Sequence, residues 1–242
     1  MDWLKIRNFA GKKQYVSVTM KKILGLIAVA GGLLASASGT ITGALTPHPS
    51  PFIPHPEKRY RVVAYPTPNF NPDSVNRVEG VVLHHTAEPT VERSLEVLTS
   101  PERGVSTHVV IDTDGTRYVM AEPEVVTYHA GLSILNGKER CNYFTIGIEF
   151  QGNTVERPLT EDQINSAVEY LLPIMAKYRI PLENVVTHEM VRVAYKKKYP
   201  KKKCYNKVDI TPTEYRRVMA ALKSRYVASR DGERSSAAGE QP

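Results

Sequence analysis

From Gly80 onward the chain alternates short, unbroken apolar runs with segments whose apolar residues recur every three or four positions. Val81, Val82 and Leu83 lead into His84 and His85, a run too short for a helix and free of polar interruptions, which predicts a buried strand over residues 80–85. Residues 90–100 carry Val91, Leu95 and Leu98 at helical spacing. Residues 108–112 are rich in β-branched side chains, and Asp114-Gly115 predicts a tight turn with a return strand over 117–120. Residues 145–151 repeat the buried-strand pattern, and 185–188 do so more briefly. The longest periodic segment is 160–178, where Ile164, Ala167, Val168, Leu171, Leu172 and Met175 form one stripe. Thr160 caps it, and Gln163, three residues on, completes a capping box. A last helix is predicted to start at Thr211 or Thr213 and to run through Leu222. Strands interleaved with helices predict a single α/β domain, a central mixed β-sheet flanked by helices, over residues 77–226.

The pattern changes outside that range. Met20-Lys21-Lys22, the apolar stretch from Ile23 to Leu34, and Ala35-Ser36-Ala37 have the layout of a secretory signal peptide. The stretch falls short of the about 20 apolar residues that span a bilayer. Residues 1–37 are therefore expected to be a signal peptide, the alternative being an uncleaved anchor that tethers the chain transiently to a membrane. The expected location is exported, either periplasmic or extracellular. Residues 38–76, crowded with prolines from Pro47 to Pro72, read as an extended linker whose later part, Tyr60 to Pro66, lies along the domain. Residues 227–242 are polar and rich in Gly and Ser, the composition of a disordered tail. No internal repeat or coiled-coil pattern argues for self-association, so a monomer is expected.

Charge narrows the partners. The net charge is +7, which suits an anionic partner: nucleic acid, a lipid surface or an acidic cell-wall polymer. Much of it sits in Lys196-Lys197-Lys198 and Lys201-Lys202-Lys203, either a solvated face or a device for attracting substrate. No nucleic-acid motif accompanies the charge, so no nucleic-acid partner is expected. The two cysteines, Cys141 and Cys204, are too few for a disulfide-stapled scaffold; they could pair once, or one could ligate a metal.

Histidines mark the candidate chemistry. His84 and His85 end the first strand, His108 and His129 lie in the middle of the domain, and His188 ends the short late strand. Side chains alternate along a strand, so His84 and His85 cannot both face one site. Strand ends are where α/β folds gather their functional groups.

Five segments, taken in order, carry a resemblance. Val81 to Ala87 (VVLHHTA) resembles the first zinc-ligand strand of the amidase-2 family, to which T7-type lysozymes, bacterial muropeptide amidases and animal peptidoglycan recognition proteins belong. Val105 to Gly115 resembles the family hairpin S-x-H-[YF]-x-I-x-x-D-G, and Tyr128 to Gly131 its H-A-G element. Asn142 to Gly152 resembles N-x-x-S-I-G-I-E, and Thr187-His188-Glu189 the second ligand strand. The resemblance implies the corresponding fold and a zinc ion held by His84, His188 and a third ligand. Two places after His188 match a ligand preceded two residues earlier by lysine: Lys207-Val208-Asp209 and Lys202-Lys203-Cys204. Asp209 is favoured because it stands just before the last helix and Lys207 completes the pair; Cys204 is the alternative. Both lie farther from His188 than in the family pattern, which implies a loop inserted over residues 191–203.

What the resemblance implies chemically is hydrolysis of the amide between N-acetylmuramic acid and L-alanine in peptidoglycan or muropeptides. Three protein ligands leave one position for water, as in catalytic zinc sites. Glu149 would move protons and Lys207 would stabilise the oxyanion. His108, His129 and Thr107 would contact substrate; some relatives carry a tyrosine where Thr107 stands, which shifts more of the work to Glu149. Two alternatives stay open: a peptidoglycan-binding module without catalysis, and a zinc amidase acting on another amide.

Overall fold

The computed structural model describes residues 3–7, 13–17, 59–204 and 209–238, with side chains over 59–204 and 209–226. The expected signal segment from Met20 to Ala37, linker residues 38–58, Lys207 and the last four residues lie outside the described residues. The chain forms two units, Met1–Ile53 and Pro54–Pro242. In the first, β1 (Trp3–Arg7) pairs antiparallel with β2 (Lys13–Ser17).

The second unit is built on a six-stranded mixed sheet. Its chain order is β3 (Val62–Ala64), β4 (Phe70–Val75), β5 (Gly80–His85), α1 (Val91–Thr99), β6 (Val109–Ile111), β7 (Arg117–Val119), β8 (Val125–Thr127), β9 (Ile134–Leu135), β10 (Lys138–Glu139), β11 (Thr145–Phe150), α2 (Glu161–Tyr178), β12 (Val185–Thr187), α3 (His188–Lys198) and α4 (Pro212–Ala238). Across the sheet the order is β12-β5-β11-β6-β7-β3. The first four strands run parallel, β7 is antiparallel to β6, and β3 is parallel to β7. The pairs β4–β8 and β9–β10 form small antiparallel sheets of their own. Every residue of β5 and β11 is buried, which is why both read as continuous apolar runs rather than alternating ones.

Alternation assigns the faces. Val82 and Val186 occupy registered positions on β5 and β12 and cluster with Val191 of α3. Val110, in register with Glu149 and hence with His84, clusters with Val91, Leu95 and Leu98 of α1. Helices α1 and α3 therefore flank one face, with the ends of the parallel strands between them. Helix α2 packs on α4 and reaches β6, where Gln163 Nε2 donates to the carbonyls of Ile111 at 3.2 Å and Gln151 at 2.9 Å. The expected capping box of α2 is present: Thr160 Oγ1 accepts from the Gln163 amide at 3.0 Å, and Gln163 Oε1 accepts from the Thr160 amide at 3.1 Å.

Three boundaries differ from the sequence expectation. Residues 59–76 are not a linker, since β3 and β4 pair with β7 and β8. Their prolines are accommodated because Pro66 and Pro68 lie between the two strands and Pro72 falls where the β4–β8 register shifts, between Asn71 and Val75. Tyr60 packs against the hairpin at Gly115 (φ +83°), where a Cβ would come within 2.3 Å of the ring. Its hydroxyl donates to Asp162 Oδ1 at 3.1 Å, and burial with that carboxylate raises its pKa to about 12. Residues 191–198, expected in an inserted loop, complete α3, because Val191 and Tyr195 bury one turn apart. Helix α4 runs to Ala238, past the tail boundary expected at 227, over a segment whose Ala, Arg and Glu residues favour helix.

Candidate active site

Three neighbouring parallel strands end at one level. Their register sets Glu149 beside His84 and Thr187 beside Leu83, so His188 arrives at the level of His84. His84 and Glu149 project from the face flanked by α1 and α3. His85 projects from the other, where Nδ1 lies 2.9 Å from Thr154 Oγ1 and accepts from the Thr154 amide at 3.1 Å. His188 does not end β12 but opens α3. Thr187 caps that helix, its Oγ1 accepting from the Met190 amide at 3.2 Å, and so holds His188 where strand turns into helix.

Asp209 completes the cluster from far along the chain. It is 4% exposed, and its two oxygens have different partners. Oδ1 accepts from the backbone amides of His85 at 2.9 Å and Ile210 at 3.0 Å. Oδ2 lies 2.9 Å from His188 Nδ1 and 3.3 Å from His84 Nδ1. His84, His188 and Asp209 offer donor atoms all within 4.8 Å of one another, and Cys204 is not among them. The group suits a metal on two grounds. Zinc ligands about 2.0–2.2 Å from a tetrahedral centre stand roughly 3.4 Å apart, close to the 2.9 and 3.3 Å that separate Asp209 Oδ2 from the two rings. His84 Nδ1 is wholly buried and makes no hydrogen bond even 3.3 Å from a carboxylate oxygen. Buried ring nitrogens normally find a partner, and a cation between the two lone pairs would supply one.

The other nitrogen of His84 is held from behind. Its Nε2 lies 3.2 Å from His129 Nδ1, and His129 Nε2 lies 3.4 Å from the Thr145 carbonyl. With His84 Nδ1 turned to the cluster, the network assigns His84 as the donor to His129, and His129 as the donor to Thr145. Burial, followed by the neighbouring His84, His108 and His188, depresses the His129 pKa well below the ordinary value, consistent with a neutral ring. Gly147 makes room for it: a Cβ there would lie 2.6 Å from His129 Cγ and 2.8 Å from Thr107 Oγ1. Asn142 Oδ1 accepts from the amides of His129 at 3.2 Å and Ala130 at 2.7 Å, fixing the backbone that carries the ring.

A cleft of about 440 Å³ opens over these groups, lined by Glu149, His188 and His129, by Tyr128 and Asn142, and by Ser94, Val97 and Leu98 of α1. Glu149 is 6% exposed at its wall. Thr107 and His108, expected to contact substrate, instead lie behind the cleft at 0% exposure. Both ring nitrogens of His108 are committed: Nε2 donates to the Val125 carbonyl at 3.0 Å, and Nδ1 accepts from the Gly147 amide at 3.0 Å. Burial pushes its pKa down to about 4. Lys207, the expected oxyanion partner, lies outside the described residues. Tyr128 and Asn142 sit inside motifs that resemble the family, yet nothing in their spacing assigns them to the cleft. The α1 lining is harder to foresee, because a helical stripe reads as core whether it faces a core or a cavity.

Comparison with known proteins extends the picture. The profile of the family described as N-acetylmuramoyl-L-alanine amidase (Amidase_2) matches residues 74–204. The chain is 39% identical over 87 residues to the 1,6-anhydro-N-acetylmuramyl-L-alanine amidase AmpD of Haemophilus influenzae, covering 35% of this chain and 46% of that protein. It is 29% identical over 127 residues to the N-acetylmuramoyl-L-alanine amidase AmiD of Escherichia coli, covering 46% of this chain and 45% of that one. The chain thus spans slightly under half the length of these curated relatives. Among solved structures, the complex of Escherichia coli AmiD with anhydro-N-acetylmuramic acid-L-Ala-D-gamma-Glu-L-Lys aligns at 26% identity and a TM-score of 0.43, over 50% of this chain and 52% of that chain. A selenomethionine derivative of AmpD aligns at 23% identity and a TM-score of 0.47, over 66% of this chain and 93% of that chain.

Proposed function

This chain belongs to the N-acetylmuramoyl-L-alanine amidase family, whose profile covers more than half of its residues, and from that membership we propose that it hydrolyses the amide between N-acetylmuramic acid and L-alanine in peptidoglycan, with a zinc ion held by His84, His188 and Asp209. The observation that carries the reading is the convergence of those three side chains into one cluster, with His188 and Glu149 lining the cleft above it. The names of the curated relatives support the same bond as the target.

Zinc with three protein ligands and one open position supplies Lewis-acid polarisation of a carbonyl and of water. The residues of the chain do the rest. Glu149 accepts a proton from the attacking water and delivers it to the departing nitrogen of L-alanine. Its burial against the strands keeps competing water away from that transfer. Lys207 balances the negative charge that grows on the carbonyl oxygen, a role carried by the family resemblance. His129 holds His84 in the ring orientation and tautomer that direct Nδ1 to the cluster. Tyr128 and Asn142 form the polar wall along which the sugar or stem peptide lies. A polymeric substrate outside the cytoplasmic membrane suits the export pattern from Met20 to Ala37.

The test measures bound zinc and the release of stem peptides with a new L-alanine amino terminus. Wild type is expected to hold one zinc per chain and to release peptides. Asp209→Ala is expected to lose both, and Cys204→Ala neither. Glu149→Ala is expected to keep zinc while its rate falls on the order of 10²–10⁴-fold. Wild type that binds peptidoglycan without zinc and without cleavage would make this a recognition module.

A further inference from the structure

Helix α3, which opens at His188 in the active site, closes in positive charge. Lys196, Lys197 and Lys198 form its last turn, and Lys201, Lys202 and Lys203 follow directly; all six are exposed. Cations in a last turn complement the helix dipole, but a second triplet beyond the helix end adds little to that effect. Lys198 pairs with Glu139 at 2.7 Å, and Lys202 lies 5.5 Å from the Tyr199 ring centre. Lys196, Lys197, Lys201 and Lys203 have no acidic partner among the described residues.

The charged surface continues across Glu139, which also accepts from the Tyr199 hydroxyl at 2.6 Å. Beyond it lies a second cleft of about 490 Å³, bounded by Arg77, Lys138, Arg140 and Tyr143. Its acidic neighbours, Glu79 and Glu139, are already paired with Lys138 and Lys198. The two clefts are lined by consecutive residues, Asn142 in the active-site cleft and Tyr143 in this one.

We propose that this lysine ledge and its cleft form a second docking surface for peptidoglycan, gripping carboxylates of neighbouring stem peptides while the active-site cleft works on one of them. The proposal rests on the peptidoglycan reading of the active site. Stem peptides carry free carboxylates at intervals along a flexible polymer. Ammonium groups on mobile stems meet such charges without a fixed geometry. A membrane-binding helix carries a broad apolar face of residues such as Trp, Phe and Leu; of its large apolar residues α3 exposes only Met190 and Val193. The rings of Tyr143 and Tyr199 already carry Arg140 and Lys198 at 4.3 and 5.4 Å, so they do not stand open as platforms for bases. Each lysine contributes weakly, and retention comes from several acting on one polymer.

The experiment compares the full chain with a variant carrying Lys196→Gln, Lys197→Gln, Lys201→Gln and Lys203→Gln, and with the matching fourfold Lys→Arg variant. Retention on insoluble peptidoglycan, and kcat/KM on it, are measured at low and high salt beside cleavage of a small soluble muropeptide. The Gln variant is expected to lose about tenfold in retention and in kcat/KM on the polymer, at the lower end of what a surface of one charge sign adds to encounter rates. Its salt dependence falls with it, the Arg variant keeps both, and all three proteins cleave the soluble fragment equally. Unchanged retention of the Gln variant, or an equal loss on the soluble fragment, would overturn the proposal. So would tighter binding of wild type to anionic lipid vesicles or duplex DNA through the same lysines. If wild type cleaves neither substrate, the amidase reading fails, and retention alone still decides whether the ledge docks the polymer.

Discussion

Asp209 divides its carboxylate between two tasks: one oxygen is fixed by two backbone amides, and the other faces both histidines. A group held this way arrives oriented, so little conformational freedom remains to be lost when a cation binds. His129 orients His84 from the other side. His129→Ala is therefore expected to weaken zinc binding about 10–100-fold, the range seen when a partner behind a metal ligand is removed, as measured by competition with a chelator of known affinity. Gly147→Ala approaches the same ring by steric means. A Cβ at 2.6 Å from His129 Cγ forces the ring or the strand to shift, at a cost of about 1–3 kcal/mol in a packed interior. Urea unfolding should show that loss, and the chelator titration should show weaker zinc binding. Lost stability with unchanged zinc affinity would remove His129 from its positioning role.

At the scale of elements, the site depends on where strands hand over to helices. Thr187 and Thr160 cap α3 and α2 by the same hydrogen bond, an Oγ1 accepting from the amide three residues on. Replacing either by Ala should cost about 1 kcal/mol of unfolding free energy. The functional consequences should differ: Thr187→Ala loosens the turn that carries His188 and lowers activity on a soluble muropeptide, whereas Thr160→Ala leaves turnover intact. Equal turnover for the two variants would mean that β12 packing alone positions His188. The α2 cap is legible from Thr160 and Gln163 because both partners lie within one turn. The extent of α3 is less so, because its lysine-rich end masks the Val191–Tyr195 spacing that buries it.

Taken as a whole, the molecule keeps a neutral imidazole deep in its sheet. His108 has its pKa pushed down to about 4 by burial, against about 6.5 in an unfolded chain. Between those values the unfolded state binds a proton that the folded state does not, so stability falls as pH drops from about 6.5 towards 4 and levels off below. The full excursion is worth about 3 kcal/mol. Denaturation of chelator-treated protein across that range should show the slope. His108→Gln, although less stable at neutral pH, should reduce it, leaving the part that the buried His129 contributes; an unchanged slope would place the acid sensitivity elsewhere.

Much of this architecture follows from local order in the chain. Apolar runs and helical stripes specify β5, β11 and α2, because burial on both faces of a strand, or on one face of a helix, leaves a periodic trace within a few residues. His84, His188 and Glu149 stand out because the parallel strands end there. Matters of distance along the chain leave no such trace. Its place before the last helix favours Asp209 over Cys204, but that its carboxylate meets the amide of His85, 124 residues away, is a matter of tertiary structure. That His108 lies behind the cleft while His129 lines it depends on how β6, β8 and β11 stack their backbones around one ring. The entry of residues 59–76 into the fold depends on an open sheet edge that another segment provides. Periodicity records which side chains are buried; it does not record against what, and in this site the partners decide the chemistry.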